Sequence, residues 1–279
     1  MAATIGELLL GIEGLALLRD AFSGDAEARR TRLAEIRRVL ESIDQGSELA
    51  RPFDAPELAL GEGYRRWSET YDSPLRLFPL EEPVMHALLD PLPPSTILDA
   101  ACGTARHGAY LARRGHRVIG IDQSAEMLLR AQAKLGAGNA VRGDLGRLPL
   151  PDSSVDAAVC GLALVHLPAI DHAVAELARV VKPGGRVVLS DVHPFLIILG
   201  WQAQFRDKDG RAAFMRIHAH LPSDYTKAFE AAGLRIRGCF EPRLTDDSAQ
   251  TVAKDRLPEA NHRAYVGLPG VIVWDLKKA

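Results

Sequence analysis

The first 45 residues place apolar side chains at the spacing of one face of an α-helix. In the first segment that face contains Ile5, Leu8, Leu9, Ile12, Leu15 and Ala16. Thr4 followed by Glu7 is a capping-box pattern, which marks the N-terminus of this helix. After "FSGD", a second apolar face contains Leu33, Ile36, Leu40 and Ile43. The pattern therefore predicts a helical hairpin, which ends before the proline-containing "RPFDAP" at 51–56.

From residue 96 the pattern changes to short apolar runs that alternate with helical segments. The runs are "TILDAA", "RVIGID", "AVRGD", "SVDAAVCGLAL" and "RVVLSDV", and the helices are predicted at 105–114, 124–135 and 170–181. Alternation of this kind predicts a parallel sheet with helices on both faces. The alternation of strands and helices is interrupted at 193–222. It resumes with a helix at 223–233, the strand "RIRGCFE" and the final strand "GVIVWDLKK".

The pattern divides the chain into two regions. Residues 1–62 are predicted to form an N-terminal helical cap, and residues 63–279 an α/β domain with an insert at 193–222. The N-terminal helices could be a lid over a binding site, a contact between two copies in a homodimer, or a plain structural cap.

Composition indicates an ordinary globular protein. The 279 residues are 47% hydrophobic and 25% charged, with a net charge of −2. Nucleic acids and anionic membranes bind to strongly basic protein surfaces, and this charge balance gives no electrostatic reason to expect either as a partner. The apolar N-terminus carries Glu7 and Glu13 and no basic residue before Arg19, which is the reverse of a secretory signal.

The number and spacing of the cysteines indicate whether the protein works in a reducing or an oxidising compartment. Cys102, Cys160 and Cys239 are odd in number and lack Cys-x-x-Cys spacing. This arrangement favours reduced thiols over a disulfide framework or a zinc site, so we expect a cytoplasmic protein.

The turn "DAACGTARHG" after the first predicted strand is the candidate nucleotide site. A strand, a glycine turn and a helix bring backbone N–H groups and a helix dipole to one point. Dinucleotide folds hold a pyrophosphate there with G-x-G-x-x-G, but here only Gly103 and Gly108 are glycines. Asp99 would repel a pyrophosphate and suits an ammonium group. Asp122 ends the second strand, where an acid binds ribose hydroxyls.

Four blocks in order carry a family resemblance over about residues 64 to 240. They are "ILDAACGTARHGAYLARRGHRVIGIDQSAEML", "GDLGRLPLPDSSVDAAVC", "LALVHLP" and "LARVVKPGGRVVLSD". The chain resembles the class I S-adenosylmethionine-dependent methyltransferases, in the small-molecule branch of the menaquinone-methyltransferase type. The resemblance implies a Rossmann-like, doubly wound, mostly parallel seven-stranded sheet with an antiparallel last strand. It also implies a methyltransferase domain at 63–279 and S-adenosyl-L-methionine as cofactor.

The resemblance also implies a cofactor site. The implied residues are Tyr64, Tyr71, Asp99, Ala100, Cys102, Gly103, Asp122, Gln123, Met127, Gly143, Asp144, Leu145 and Leu162. Asp99 and Cys102 would lie beside the methionine amine and carboxylate, Asp122 would bind the ribose, and Asp144 the adenine amine. The family usually reads "CGTG", and Ala105 in place of the second glycine is tolerable if its φ is negative.

Several of these side chains have simpler interpretations. Asp122 could cap the following helix, and Asp144 could stabilise a turn. Cys102 could be a packing residue and His107 a polar residue at a helix start. Trp67 could anchor the core or cover the cofactor.

An acceptor should bind at the carboxyl ends of the fourth and fifth strands, beside "LVHLP" and the insert. The candidate acceptor-binding residues are His166, Phe195, Trp201, Phe205, Phe214 and His218, and the candidate catalytic residues are His166, His193, His218 and His220. In an extended "HAH" both imidazoles face the same side, as a base with its orienting partner or as a metal pair. A third metal ligand is not evident, so no metal is predicted. Surface or helix-capping histidines are the alternative.

These patterns favour an enzyme that transfers a methyl group to a small, aromatic acceptor of specialised metabolism, at carbon, oxygen or nitrogen. Two alternatives share the same sheet: an NAD(P)-dependent oxidoreductase, and a non-catalytic S-adenosylmethionine-binding protein. The missing G-x-G-x-x-G and the presence of Asp99 argue against the oxidoreductase.

Overall fold

The computed structural model describes residues 3–22, 25–73, 76–136 and 138–279. The chain forms two compact units. The first contains the residues up to Ala55 together with Arg243–Leu268, and the second contains Pro56–Pro242 with Pro269–Ala279. The sequence pattern had assigned the segment from Arg243 to Leu268 to the α/β domain and placed the first boundary at residue 62.

The helices are α1 (Ile5–Arg19), α2 (Ala26–Asp44), α3 (Leu60–Trp67), α4 (Phe78–Leu89), α5 (Arg106–Arg113), α6 (Ala125–Leu135), α7 (Asp171–Val180), α8 (Pro194–Ile198), α9 (Pro222–Ala231) and α10 (Pro258–Tyr265). The strands are β1 (Thr96–Ala100), β2 (Arg117–Asp122), β3 (Ala140–Arg142), β4 (Val155–Gly161), β5 (Val181–Val192), β6 (Ala203–Arg206), β7 (Ala212–Met215), β8 (Leu234–Phe240) and β9 (Val271–Lys278). A 3-10 turn covers Leu164–His166. Among the described residues, no helix is both long enough and apolar enough to cross a bilayer.

The second unit is built on a seven-stranded sheet in the order β3-β2-β1-β4-β5-β9-β8. The pairs from β3 through β5 are parallel, and β9 runs antiparallel to both β5 and β8. This confirms the predicted doubly wound sheet with an antiparallel last strand. Strand β1 is buried on both faces: Ile97 packs with α4 and α5, whereas Leu98 packs in the cluster that includes α7 and α9.

The register of β1 and β2 places the predicted nucleotide site at one edge of the sheet. Ala100 lies opposite Ile121, so the turn after β1 lies next to Asp122 at the end of β2. Because parallel strands end at the same edge, the loops after β1, β2, β4 and β5 converge there.

The first unit contains the predicted helical hairpin and one helix that the pattern did not identify. The Thr4 hydroxyl accepts from the Glu7 backbone N–H at 3.1 Å, and Glu7 Oε2 accepts from the Thr4 N–H at 2.7 Å, which confirms the capping box. Helix α10 packs on α1, where Arg19 Nη1 donates to the carbonyls of Arg263 and Ala264, each at 2.9 Å.

The insert at 193–222 is ordered by local structure. It begins with α8 and continues as an antiparallel hairpin of β6 and β7, whose turn includes Gly210 with a φ of +78°. The Asp207 carboxylate accepts from the backbone N–H groups of Asp209 and Arg211, each at 3.0 Å, and so closes the turn.

Candidate active site

Asp122 holds the turn that follows β1. Its Oδ2 accepts from the backbone N–H of Gly103 at 2.8 Å, and its Oδ1 accepts from the backbone N–H of Ser124 at 2.8 Å. Gly103 has a φ of +53°, which suits glycine. Each carboxylate oxygen retains a second lone pair for a ligand hydroxyl. Burial raises the pKa of Asp122.

A cleft of about 680 Å³ opens above these residues; we call it the first cleft. Its lining includes ten of the predicted residues: Tyr64, Tyr71, Gly103, Asp122, Gln123, Gly143, Asp144, Leu145, Leu162 and His166. Sequence reasoning missed Leu60, Ala101, Ile121, Gly161, Ala163 and Leu167. Among the described residues of this lining, Asp122 and Asp144 are the acids, and no Lys or Arg lies with them. The first cleft therefore suits a cationic ligand and disfavours a diphosphate.

Four predicted cofactor residues lie behind the cleft wall instead of lining it. Asp99 was expected beside an ammonium group, but its carboxylate is buried and accepts from the Gly108 N–H at 2.8 Å. It thus anchors the start of α5, and burial raises its pKa to about 6. Ala100, Cys102 and Met127 are buried packing residues. Sequence position alone did not reveal that the cleft begins one residue beyond them, at Ala101 and Gly103.

Ala105 departs from the expected negative torsion. Its φ is +60° and its ψ is 48°, a left-handed conformation that favours glycine. A side chain in this conformation costs roughly 1–2 kcal/mol. The strain is carried by a residue that is fully buried beside Leu128.

A second cleft of about 720 Å³ adjoins the first and shares Tyr64, Tyr71, Leu162 and His166 with it. The rest of its lining is Trp67, Arg76, Leu77, Phe78, Val165, Val192, Trp201, Gln202, Ala203, Gln204 and Ile217. It lies at the ends of β4 and β5, where an acceptor was predicted. Trp67 stacks on Phe205, with 5.1 Å between ring centroids.

Only two of the predicted acceptor residues, His166 and Trp201, line this second cleft. Phe205 is buried behind Trp67, and Phe195 is 55% exposed on α8. Phe214 lies on β7, where its backbone pairs with Leu58 and Pro56, and is also outside the lining. The local structure of the insert, a short helix followed by a hairpin, turns these rings away from the second cleft, and the composition of the insert could not show this.

Tyr64 and His166 meet where the two clefts join. The Tyr64 hydroxyl lies 2.8 Å from His166 Nε2. Burial lowers the pKa of His166 to about 4, although the backbone of Arg216 acts in the opposite sense. Burial also raises the pKa of Tyr64 well above its ordinary value. At neutral pH both groups are uncharged, so the pair orients neighbouring groups without adding charge.

The 3-10 turn that carries His166 is held from beneath by Asp191. The Asp191 carboxylate accepts from the Val165 N–H at 3.2 Å and from the Tyr225 hydroxyl at 2.6 Å. Burial raises the pKa of Asp191 to about 7. Sequence analysis did not single out Asp191, although it ends the apolar run of β5.

The other three candidate catalytic histidines lie outside both clefts. His193 Nδ1 accepts from the Phe195 N–H at 3.2 Å, and its Nε2 lies 3.0 Å from Glu241 Oε1, so it caps α8. His220 Nε2 donates to the carbonyls of Leu164 at 3.2 Å and Leu167 at 2.9 Å.

His218 lies with its ring centroid 6.4 Å from that of His220 and lines neither cleft. The expectation that His193, His218 or His220 acts on the acceptor is therefore not supported, and neither is His218 as an acceptor contact. Among the described residues, no group of three His, Cys, Asp or Glu side chains is placed to hold a metal ion.

Replacing His220 with alanine is expected to lower the free energy of unfolding by about 1–3 kcal/mol, because two buried carbonyls lose their donor. His218→Ala is the matched control and should change stability by no more than about 0.5 kcal/mol. Denaturant titration of both variants measures the difference. Equal losses in the two variants would contradict these assignments.

A buried ionic network lies behind the clefts and was missed by sequence reasoning. Glu81 of α4 is fully buried and accepts from Arg106 Nη1 at 2.6 Å and from the Ser190 hydroxyl at 2.6 Å. His107 Nε2 lies 2.8 Å from Glu81 Oε1. Burial opposes ionisation, but His107 and Arg106 hold the pKa of Glu81 well below its ordinary value. The network joins α4, α5 and β5.

Comparison with known proteins identifies this arrangement. Residues 98–189 match the family described as a methyltransferase domain. A malonyl-[acyl-carrier protein] O-methyltransferase of Yersinia pestis is 32% identical over 155 residues, which cover 54% of this chain and 57% of the relative. Over residues 98–189 the chain therefore matches a methyltransferase domain, in agreement with the resemblance to the class I S-adenosylmethionine-dependent methyltransferases.

Two further similarities are to a second curated relative in sequence and to a solved structure in fold. A demethylmenaquinone methyltransferase of Desulfitobacterium hafniense is 40% identical over 110 residues, covering 36% of this chain and 43% of that protein. A solved S-adenosylmethionine-dependent methyltransferase from Mesorhizobium loti has a TM-score of 0.56 and 23% identity, covering 71% of this chain and 98% of that one. The chain spans about half the length of the curated relatives that it matches.

The lining of the first cleft fits S-adenosylmethionine, the cofactor that the family resemblance implies. The molecule combines a sulfonium and an ammonium with an adenosine, and the cleft has acids at two strand ends and a glycine turn. Asp122 is placed to accept from ribose hydroxyls, and Asp144 retains Oδ2 for an adenine amine while its Oδ1 accepts from the Gly146 N–H at 2.6 Å. The simpler interpretation, that Asp122 only caps a helix, explains why its Oδ1 accepts from the Ser124 N–H. It does not explain why Asp122 lines the first cleft.

Proposed function

We propose that this protein transfers a methyl group from S-adenosylmethionine to a small aromatic acceptor bound in the second cleft. The observation that carries the proposal is the joining of two clefts through Tyr64, Tyr71, Leu162 and His166. One cleft carries acids suited to a cationic nucleotide, and the other has an aromatic lining. A donor and an acceptor bound in them would meet at the shared wall.

The side chains at this junction act by alignment. S-Adenosylmethionine supplies an electrophilic methyl group when bound. Asp122 and Asp144 would hold the nucleoside, and Tyr64 and Tyr71 would exclude water from the space between the clefts. Holding two reactants in attack geometry can remove roughly 7–11 kcal/mol of barrier. His166, with a pKa of about 4, is a weak proton acceptor at neutral pH and is better suited to orienting the Tyr64 hydroxyl.

An aromatic acceptor is supported by the second cleft itself. Trp67, Phe78 and Trp201 supply flat apolar surface, and Gln202 and Gln204 supply neutral hydrogen-bonding groups. Pockets that combine apolar walls with a few polar groups are typical of small-molecule sites. Of the relatives, one is named for malonyl-[acyl-carrier protein] and one for demethylmenaquinone. The aromatic lining favours a ring-containing acceptor of the second kind, in the menaquinone-methyltransferase-like branch.

Label transfer tests the function. The protein is incubated with methyl-labelled S-adenosylmethionine and a panel of phenols, hydroquinones, indoles and aromatic carboxylates, and labelled product is separated and counted. Asp122→Ala is the inactive control. Binding of S-adenosylhomocysteine without transfer to any panel member would contradict the proposal and favour a cofactor-binding protein. Tighter binding of NADH than of S-adenosylhomocysteine would favour an oxidoreductase.

Tyr64→Phe is expected to lower turnover of the acceptor found in that panel by about tenfold to a hundredfold, because the aligned pair with His166 is lost. The affinity for S-adenosylhomocysteine should change by less than about threefold, since the ring that covers the first cleft is kept. Steady-state kinetics and calorimetry measure the two effects. Parallel losses of turnover and cofactor affinity would show that Tyr64 serves the cofactor alone.

A further inference from the structure

We infer that Gln202 is a specificity-determining residue of the second cleft, and that its side-chain N–H groups bind an oxygen atom of the acceptor. The inference rests on the proposed function, since it concerns the acceptor for methyl transfer. It narrows the aromatic acceptor to one that carries a carbonyl or another oxygen able to accept a hydrogen bond. Sequence analysis did not single out Gln202, which lies between α8 and β6.

The orientation of the Gln202 amide is the first support. Its Oε1 accepts from the Ile217 backbone N–H at 2.9 Å. Because a backbone N–H can only donate, the atom bonded to it must be the amide oxygen, and Nε2 lies on the other side of the amide group. The protein backbone therefore uses the accepting end of this side chain and leaves its donating end for another partner.

The surroundings of Nε2 are the second support. Gln202 lines the second cleft beside the apolar residues Val165, Val192, Ala203 and Ile217. Its Nε2 makes no hydrogen bond to another described residue and is not a buried atom. Nε2 is thus a neutral donor that solvent reaches, set beside apolar lining.

The anchored amide is also connected to the junction of the two clefts. Ile217, which fixes Oε1, is followed by His218, whose backbone N–H donates to the Val165 carbonyl at 2.7 Å. Val165 lies in the 3-10 turn that carries His166. Two hydrogen bonds therefore link Gln202 to this turn, so an acceptor held at Nε2 is positioned relative to the place where the clefts join.

A fixed donor selects acceptors by the group that they present to it. When a ligand fills the cleft, Nε2 loses its water, and an oxygen of the ligand replaces the lost hydrogen bond. A C–H group would leave Nε2 without a partner, and an N–H group would place two donors against each other. Sites that contain a fixed hydrogen-bonding group reject ligands that leave it unpaired.

Three bicyclic probes of similar shape test the role of Gln202. In 1-tetralone a carbonyl replaces the methylene of tetralin, and in tetrahydroquinoline an N–H group replaces it. NMR titration of the protein saturated with S-adenosylhomocysteine gives their affinities. We expect Gln202→Met to weaken 1-tetralone by about fivefold or more relative to its effect on tetralin, because the hydrogen bond to the carbonyl is lost.

Gln202→Glu exchanges the donor for an acceptor. One carboxylate oxygen can still accept from the Ile217 N–H, so this variant tests the donor even if Gln202→Met lowers stability. It should weaken 1-tetralone and strengthen tetrahydroquinoline, which reverses their order relative to the unaltered protein. Gln132→Glu is the matched control for the added charge, since Gln132 is exposed on α6 and lines neither cleft. It should leave all three affinities unchanged.

Three results would overturn the inference: equal changes for the three probes in Gln202→Met, weakening of 1-tetralone by Gln204→Met instead, or failure of 1-tetralone to bind the unaltered protein. Each of them would leave S-adenosylhomocysteine binding and label transfer intact. Failure of the proposed function would appear in those two measurements.

Discussion

Replacing Asp122 with alanine is expected to weaken S-adenosylhomocysteine binding by at least about a hundredfold. Asp122 is placed to accept from two ribose hydroxyls, and hydrogen bonds to a charged group contribute roughly 1.5–3 kcal/mol each. The same carboxylate also accepts from the N–H groups of Gly103 and Ser124, so its loss loosens the turn on which the ligand lies. Calorimetry measures the affinity.

Asp144→Ala is the matched control for Asp122→Ala. Asp144 lines the same cleft, but it is exposed and its Oδ1 bonds only the adjacent turn at Gly146. Its loss should therefore weaken binding by about tenfold or less. The Tm of each variant, measured without ligand, shows whether weaker binding reflects a lost contact or a less stable fold. Unchanged affinity in Asp122→Ala would remove Asp122 from the cofactor site.

Replacing Glu81 with glutamine is expected to lower the free energy of unfolding by about 3–5 kcal/mol, because the Arg106 guanidinium would lose the buried carboxylate that compensates its charge. For a protein of this size the loss corresponds to a fall in Tm on the order of 10 °C. Glu82→Gln is the control, since Glu82 is 34% exposed and contacts the same Arg106 Nη1 at 3.0 Å. Its effect should stay within about 1 kcal/mol.

The effect of Glu81→Gln should depend on pH. The folded-state pKa of Glu81 lies below the ordinary value of 4.5, so its ionised form stabilises the fold above that pH. This contribution is lost as the pH falls below 4.5 toward the folded-state pKa. The difference in Tm between the unaltered protein and the variant should thus be largest near pH 7 and shrink toward acid. A difference that grows as the pH falls would contradict the ionised state of Glu81.

The sheet could be predicted because its signals are local. Apolar runs such as those of β1 and β4 are buried on both faces, and their spacing by helical segments leaves few topologies open. The helices α3 and α10, of 8 residues each, and the strands β6 and β7, of 4 residues each, were not predicted, since elements this short repeat a pattern only once or twice. Pro258 at the first turn of α10 was the available signal for that helix.

The sequence predicted the lining of the first cleft correctly only for residues whose place at a strand end or in a turn fixes where they face. Gly103 and Asp122 line the first cleft as expected, because Gly103 lies in the turn after β1 and Asp122 is the last residue of β2. Asp99 was expected to face the ligand and instead anchors α5. The histidines were chosen for their chemistry, and His193, His218 and His220 prove to serve local structure or lie apart from the clefts.

The sequence by itself determined the fold, because its apolar runs and helical segments are local signals, and four local blocks carried the resemblance that implies the cofactor. Only the tertiary structure decided which side chains line the second cleft. Arg76, Trp67 and Gln202 come from separate segments, and Glu81 meets Arg106 across 25 residues of sequence. Contacts of this kind depend on how the helices pack on the sheet, which no local pattern of apolar and polar residues specifies.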